Sequence, residues 1–591
     1  MSKTQSHHLA NMARKELERQ ATRRDILFSD GQNALDKILE SPSPATLIQS
    51  FPDQDLYYLM HKIGVHDFTP VLAMATSEQW EYILDVEVWD DDRLDTHMMT
   101  QAFSQLFKAD PQRFLRWTIM DKPDFFEYYL FQNMTVVVRE HDDPPPSDFE
   151  DYTTFDDKFY FRFPDKRAGS GEDQNDELLP AESPEDHAPH EDAPELIENI
   201  LKTLAQMDLS VFHGLLLETS ALLPTETEEE QFRLKNIRLA EKGFLPTHDA
   251  VGIYQPVSRS ELKKRPQESE KDNNFDPELP MPPVFFTQFL ETESLFGQTL
   301  AHMRSTGDTT NLDSELAALL NKIISADRIK IRTRESIEKT MEKAMAFLSL
   351  GLEVLLDGDT QVENAVELVN AYYIEDIFRT GSRAGITLKT QAKTWYEASF
   401  LKKNNLPLSF LGESYLGVIG GLMIQRPMFF ANYAEKELYR HFKSLSDIRS
   451  TERLLSEIIS IDEFLSGLDI DTETFTQGVL TYKSMILTVW ARNRIGLGSQ
   501  TEHSLEPIPQ SEFKPFFTAL FDGSSKISET QTKDIGLWAA EVLDVSETEL
   551  PVSLQSTLYG LIREIEEEYG HVKPESLDIR FMPLFLLTQD D

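Results

Sequence analysis

The 591-residue chain contains no cysteine. That absence excludes disulfides, thiolate zinc sites, cysteine nucleophiles and iron–sulfur ligation. Basic residues are scarce: 57 lysines and arginines stand against 101 aspartates and glutamates, giving a formal net charge of −44. Phosphate contacts need clustered lysine and arginine, so no nucleic acid is expected as a partner. The charge reads first as a source of solubility, although an acidic surface can also collect basic partners or divalent cations. Long apolar runs are missing as well. The longest uncharged apolar stretch, SYLGVIGGLMIQ at Ser414–Gln425, falls short of the roughly 20 residues that span a bilayer. The N-terminus, MSKTQSHHLANMARKELERQ, has no apolar centre and is interrupted by Arg14, Lys15 and Arg19, unlike a signal peptide. The expectation is a cytoplasmic protein without a membrane span.

Motifs with a chemical mechanism are lacking too. No Walker-type loop, GxGxxG, HExxH or GxSxG occurs. Gly417, Gly420 and Gly421 form the tightest glycine cluster, and without a preceding strand or nearby lysine they read as a place of close helix packing. Asp469, Asp471 and Glu473 alternate as in a calcium loop, but Thr474 stands where the loop needs glycine and Leu480 where it needs a bidentate acid. Asp357 and Asp359 flank Gly358 in an expected turn. His61 and His66 are too badly spaced to share a helix face, and His187 and His190 lie in a polar tract. The block AYYIEDIFRTG groups Tyr372, Tyr373, Glu375, Asp376 and Arg379, with an i,i+4 pair between Glu375 and Arg379 as its simplest reading. The sequence singles out no catalytic, cofactor-binding or metal-binding residue, and no cofactor.

What the chain does have is a faint internal repeat. One column reads Leu56, Trp80, Phe103, Phe126, at spacings of 24, 23 and 23 residues. Parallel columns read Leu59, Ile83, Leu106, Tyr129 and Met60, Leu84, Phe107, Leu130; nine residues before the first column come Leu47, Val71, Leu94 and Trp117. Such a period fits two short helices per unit, each needing its neighbours to bury an apolar face. Helix-start signals punctuate it at Ser43-Pro44, Pro52-Asp53, Thr76-Ser77-Glu78, Asp110-Pro111 and Lys122-Pro123-Asp124. Trp80, Tyr82, Phe126 and Tyr128 are expected to wedge between helices, a ligand-binding aromatic patch being the alternative.

Seven segments follow from these patterns. Residues 1–29 form a polar, locally basic arm that could dock onto the body; 30–133 carry the α-solenoid-like repeat. Residues 134–165 hold a small β-hairpin or three-stranded ribbon built from MTVVVR and KFYFRF, with a turn at Asp156-Asp157. Residues 166–195, rich in acid and proline, read as a disordered linker. Residues 196–265 are helical, with a capping box at Thr225–Glu228 and a stop at Gly243. A second linker spans 266–283. Residues 284–591 read as a larger C-terminal helical domain, with an exposed loop over Arg492–Gln510. The fold class is therefore mainly α.

The segments LIQSFPDQDLYYLMHKIG, EEEQFRLKNIRLAEKGFLPTHDAVGIYQP and AYYIEDIFRTG, with the repeat, resemble a bacterial family known only as a domain of unknown function. That resemblance covers most of the chain outside the linkers and brings no activity with it. The repeat at about 40–133 is also similar to the cytoplasmic N-terminal helical superhelix of MgtE-type magnesium channels and, more remotely, to the helical repeats of a flagellar switch protein. The channels' membrane helices have no counterpart here, and their magnesium-binding acids map onto no residue. Function is read as a protein-interaction or regulatory scaffold, the partner another protein bound through the helical repeat. Two alternatives stay open: an enzyme with its site in the C-terminal helical domain, and a divalent-cation sensor.

Overall fold

The computed structural model describes residues 19–139, 152–164, 192–265, 293–306, 310–330, 332–434, 436–468, 470, 480–497, 505–521 and 525–590. The linker at 266–283, residues 166–191, the pair His187 and His190, and the motif Asp469, Asp471, Glu473 lie outside them. Helix makes up 71% and strand 5%, so the fold is mainly α with a few small sheets.

The chain divides into two compact units that cut across the seven segments. The first runs through Ile253 and takes in Leu300–Ala344; the second consists of Tyr254–Arg265, Glu293–Thr299 and Met345 onward. Composition marks linkers, whereas these units are set by packing between distant stretches.

In the first unit, α1 (19–28) buries Ile26 and Leu27, and its Arg23 guanidinium, 1% exposed, donates to the Ser50 carbonyl at 2.6 Å. The described part of the basic arm is thus docked onto its own body. Then come α2 (Gly31–Leu39), α3 (Pro44–Gln49), α4 (Asp53–Ile63), α5 (Thr69–Met74), α6 (Ser77–Glu87), β1 (Trp89–Asp90), β2 (Arg93–Leu94), α7 (Thr96–Ala109), α8 (Pro111–Met120) and α9 (Pro123–Asn133). All five start signals fall at helix starts. Thr76 and Gln79 close a capping box, and the Asp110 carboxylate accepts from the Arg113 amide at 3.0 Å. Helices pack two positions apart, α2 on α4, α3 on α5, α4 on α6, α5 on α7 and α7 on α9. Leu56, Trp80, Phe103 and Phe126 are all fully buried.

The third repeat departs from the pattern. Where the others have a short helix, residues 89–94 (WDDDRL) form the β1–β2 hairpin, with Asp91 in the left-handed region at φ 58°. Three consecutive aspartates are poor helix formers and good turn formers. The Glu228 carboxylate accepts from the Leu94 amide at 2.7 Å, and Arg328 pairs with Asp91. Leu94 still reaches the core, which is why the apolar column survives the change of structure.

Strands β3 (Thr135–Val138), β4 (Thr153–Thr154) and β5 (Phe159–Arg162) make an antiparallel sheet in the order β3-β5-β4, turning at Asp156-Asp157 as the sequence predicts. Helix α10 (Ala193–Met207) begins inside the stretch read as linker, at Asp192. After α11 (Leu209–Ala221), α12 (Pro224–Glu241) starts one residue before Thr225, with Pro224 in its first turn and no side-chain cap, so the expected capping box at Thr225–Glu228 does not form. Glu228 instead serves Leu94 and Tyr128. Gly243, at φ 83°, follows the helix end as expected.

In the second unit the long Ile374–Ala398 helix packs on the Gly412–Met423 and Leu445–Gly467 helices, and the Val552–Tyr569 helix on Leu445–Gly467. Gly417 and Gly421 admit the β-hairpin at Phe429–Arg440: a Cβ would lie 2.4 Å from the Phe430 ring and 2.7 Å from the Met428 carbonyl oxygen respectively. The expected exposed loop after Arg492 is instead held in, among its described residues, by a buried arginine. Arg492 donates to the Glu506 carbonyl at 2.9 Å and the Leu497 carbonyl at 3.1 Å, while Leu505 and Ile508 are buried.

Candidate functional site

The most chemically furnished region of the first unit is a cleft of about 900 Å³ bordered by α4, α7 and α10. At its floor lies Glu87, the last residue of α6. A helix C-terminus disfavours a carboxylate, since the last carbonyls already carry partial negative charge. Three donors offset this: Tyr57 Oη, His61 Nε2 at 2.8 Å and Arg332 Nε at 3.1 Å. Burial alone would raise the Glu87 pKa. The bonds from His61 and Tyr57 and the charge of Arg332 outweigh it and bring the carboxyl down to about 2. Burial and the adjacent Glu87 charge push Tyr57 well above the usual phenol range, which keeps its proton available for donation. Lys330 Nζ reaches the Trp89 carbonyl at 3.1 Å and completes the basic clamp on the end of α6.

Tyr57 and His61 come together because i,i+4 residues of α4 share one face; their rings meet edge to face at 4.8 Å. His66 sits in the turn after α4, and its Nδ1 lies 3.0 Å from the Gln105 amide nitrogen of α7. The two histidines therefore do not share a helix face, as the spacing predicts, yet both line the same cleft. Nothing in the sequence links Glu87 to Arg332, which lies 245 positions away. The Tyr57/His61 spacing is the one local signal that could have pointed here.

A neighbouring set of ion pairs fixes the cleft's surroundings. Arg238 binds Asp85 through two bonds of 2.8 and 2.7 Å, Lys242 pairs with Asp53, and Lys122 pairs with Glu81. The bases at the end of α12 thus reach acids on α4 and α6 in addition to suiting their own helix dipole. Lys235 lies 4.6 Å from the centre of the Trp89 ring, and burial brings its pKa down to about 8.

The other sequence candidates prove structural. Trp80 is fully buried, donates to the Leu72 carbonyl at 2.9 Å, stacks edge-on with Trp117 and carries Arg113 over its ring at 4.0 Å. Tyr82, Phe126 and Tyr128 are buried with it, so the aromatics are wedges. In AYYIEDIFRTG, Arg379 pairs with Asp376 at 3.4 Å, one residue closer in sequence than the expected Glu375, and donates to the Gln255 carbonyl. Asp376 in turn accepts from the Lys263 amide at 2.8 Å. Asp357 and Gly358 occupy a turn with φ 54° and 92°, and Asp359 accepts from the Gln361 amide at 3.0 Å and the Asn364 side chain at 2.7 Å at the approach to the next helix.

A second cavity, about 1100 Å³, lies between the Ile374–Ala398 and Leu445–Gly467 helices. Its polar groups are largely committed: Thr387, Thr390 and Thr394 donate to carbonyls one turn back, and Asp462 accepts from the Phe400 amide at 3.0 Å. Among the described residues no group of three histidines or acids could hold a metal ion, and no single helix is long and apolar enough to cross a membrane.

No curated protein and no solved structure matches the chain. Residues 11–588, nearly the whole length, match a single family, and on that coverage the protein belongs to the family of unknown function DUF6178.

Proposed function

We propose that the protein is a cytoplasmic interaction or regulatory scaffold, with the helical repeat at 30–133 as its binding element. The observation that carries this reading is the cleft along α7: an open, mixed apolar and polar surface whose charged floor is held by mutual ion pairs. The pairwise stacking of short helices supports a solenoid-like unit, and with it the likeness to the N-terminal superhelix of MgtE-type channels. Glu87 accepts from Tyr57, His61 and Arg332, an arrangement that suits a rigid wall better than a mobile acid–base group. The enzyme alternative rests on the cavity beside the Ile374–Ala398 helix. For the cation sensor, no described cluster of ligands speaks in favour.

The test is site-specific photo-crosslinking in the native cell. A photoreactive residue at Gln101, exposed in the cleft, should give a discrete protein adduct, whereas one at exposed Glu229 on α12 should not. Silence at Gln101 together with small-molecule turnover by the purified protein would replace the scaffold reading with the enzyme.

A further inference from the structure

Helix α12 carries a lysine to which its own helix offers no acid. Lys235 has Gln231, Phe232, Arg238 and Leu239 one turn to either side, so no carboxylate stands at i±3 or i±4. Its Nζ lies 4.6 Å from the centre of the Trp89 ring and 5.2 Å from that of Phe232, two rings 5.6 Å apart. Among the described residues it makes no hydrogen bond and no ion pair, although an ammonium has three protons to donate. Aromatic faces attract a cation but replace its hydration only in part. The side chain is half-buried and its Nζ keeps some contact with solvent, which leaves a path for a small reagent.

Burial is the largest influence on the Lys235 proton, and it favours the neutral amine. Asp85 on α6 and Asp91 in the β1–β2 hairpin oppose it, while the charges of Lys330 and Arg238 act with it. Both acids already serve a guanidinium, Asp85 that of Arg238 and Asp91 that of Arg328. The balance lies at about 8. At about pH 7.5 roughly a quarter of the molecules then hold Lys235 as the free amine, against about one in a thousand for an ordinary lysine. A neutral amine between apolar rings and neighbouring cations is the form in which lysine acts as a nucleophile.

We propose that Lys235 is a nucleophilic amine and a covalent modification site, taking an acyl group from small activated donors of the acyl phosphate or acyl thioester class. The Nζ lone pair attacks the acyl carbon. The bond from that carbon to the phosphate oxygen or thiol sulfur breaks, its electron pair leaves with the phosphate or thiolate, and the nitrogen passes a proton to water. The product amide is neutral, so the repulsion from Lys330 and Arg238 is removed. Lys235 does not line the α7 cleft, and this chemistry is independent of the scaffold reading.

The experiment incubates the full-length protein with acetyl phosphate or, separately, with a small acetyl thioester from about pH 6.5 to 9.5, and follows acetylation at each lysine by peptide mass spectrometry. At about pH 7.5 Lys235 should react about tenfold faster than Lys202, an exposed lysine on α10, and its rate should level off above about pH 8. Preference for one donor identifies the source that serves the site. Phe232→Ala, which opens one side of the ring pair to water, should move the break in the pH profile upward by about one unit. A Lys235 rate no greater than that of Lys202 overturns the proposal, as does one that keeps rising to about pH 9.5. Both comparisons are made within the wild-type chain and hold even if the Phe232→Ala protein does not fold.

Discussion

Gly351 and Gly381 meet where two helices cross with their backbones in contact. A Cβ on Gly381 would lie 2.0 Å from the Phe347 carbonyl oxygen and 2.9 Å from the Gly351 nitrogen; one on Gly351 would lie 2.0 Å from the Ile377 carbonyl oxygen. Neither obstacle is a flexible side-chain tip. Helix propensity alone makes glycine-to-alanine favourable by about 1 kcal/mol. Steric overlap should reverse the sign, so Gly381→Ala is expected to cost about 1–3 kcal/mol or more, read as a lower denaturation midpoint. A variant more stable than wild type would show that these helices can separate freely.

The fully buried Trp80 supports its neighbours through Trp117, Arg113 and the Leu72 carbonyl. Trp80→Ala should cost about 3–5 kcal/mol and raise hydrogen exchange in α5 and α8 as well as in α6. Wild-type stability in that variant would move Trp80 from core to surface function.

The repeat was legible because burial repeats with it: a column of large apolar residues at a fixed period reports a shared packing position whatever the local backbone does. That robustness also hid something. Leu94 keeps its place in the column although its segment is a hairpin, so the pattern alone could not show that three aspartates had replaced a helix. The cleft floor was illegible for a different reason. Glu87 and Arg332 are ordinary charges in an acidic chain, and they meet only where Arg328, Lys330 and Arg332 reach the end of α6 and the β1–β2 hairpin. Arg379 shows the limit of spacing rules: i,i+3 and i,i+4 carboxylates were both available, and the backbone partners of Asp376 and Arg379 in residues 255–263 decided between them.

Glu87 should give the protein an acid limit. Its folded pKa of about 2 lies below the reference of 4.5, so its contribution is fully present above pH 4.5 and is lost as pH falls toward 2. The gap corresponds to about 3 kcal/mol at neutral pH. Glu87→Gln should therefore lower stability at neutral pH and flatten the pH dependence in that window, measured by denaturant unfolding at a series of pH values. An unchanged acid slope would mean that the clamp by Tyr57, His61 and Arg332 is not maintained in solution.

Glu127 on α9 predicts the opposite sign. Burial, with the charges of Asp124 and Glu218 on α11 adding to it, lifts its pKa to about 7. A carboxyl that is harder to ionise when folded than when unfolded makes no difference below pH 4.5, where both states hold the proton. Between 4.5 and about 7 the unfolded chain releases it first, so stability falls with rising pH and then levels off. Glu127 is half-buried, and solvent screening reduces the size of the effect without changing its direction. Glu127→Gln should accordingly stabilise the protein near pH 8 and leave it unaltered near pH 4, with Glu218→Gln giving a smaller gain of the same sign. If Glu127→Gln destabilises the protein at the higher pH, the carboxylate is engaged in a favourable contact and its ionised form belongs to the fold.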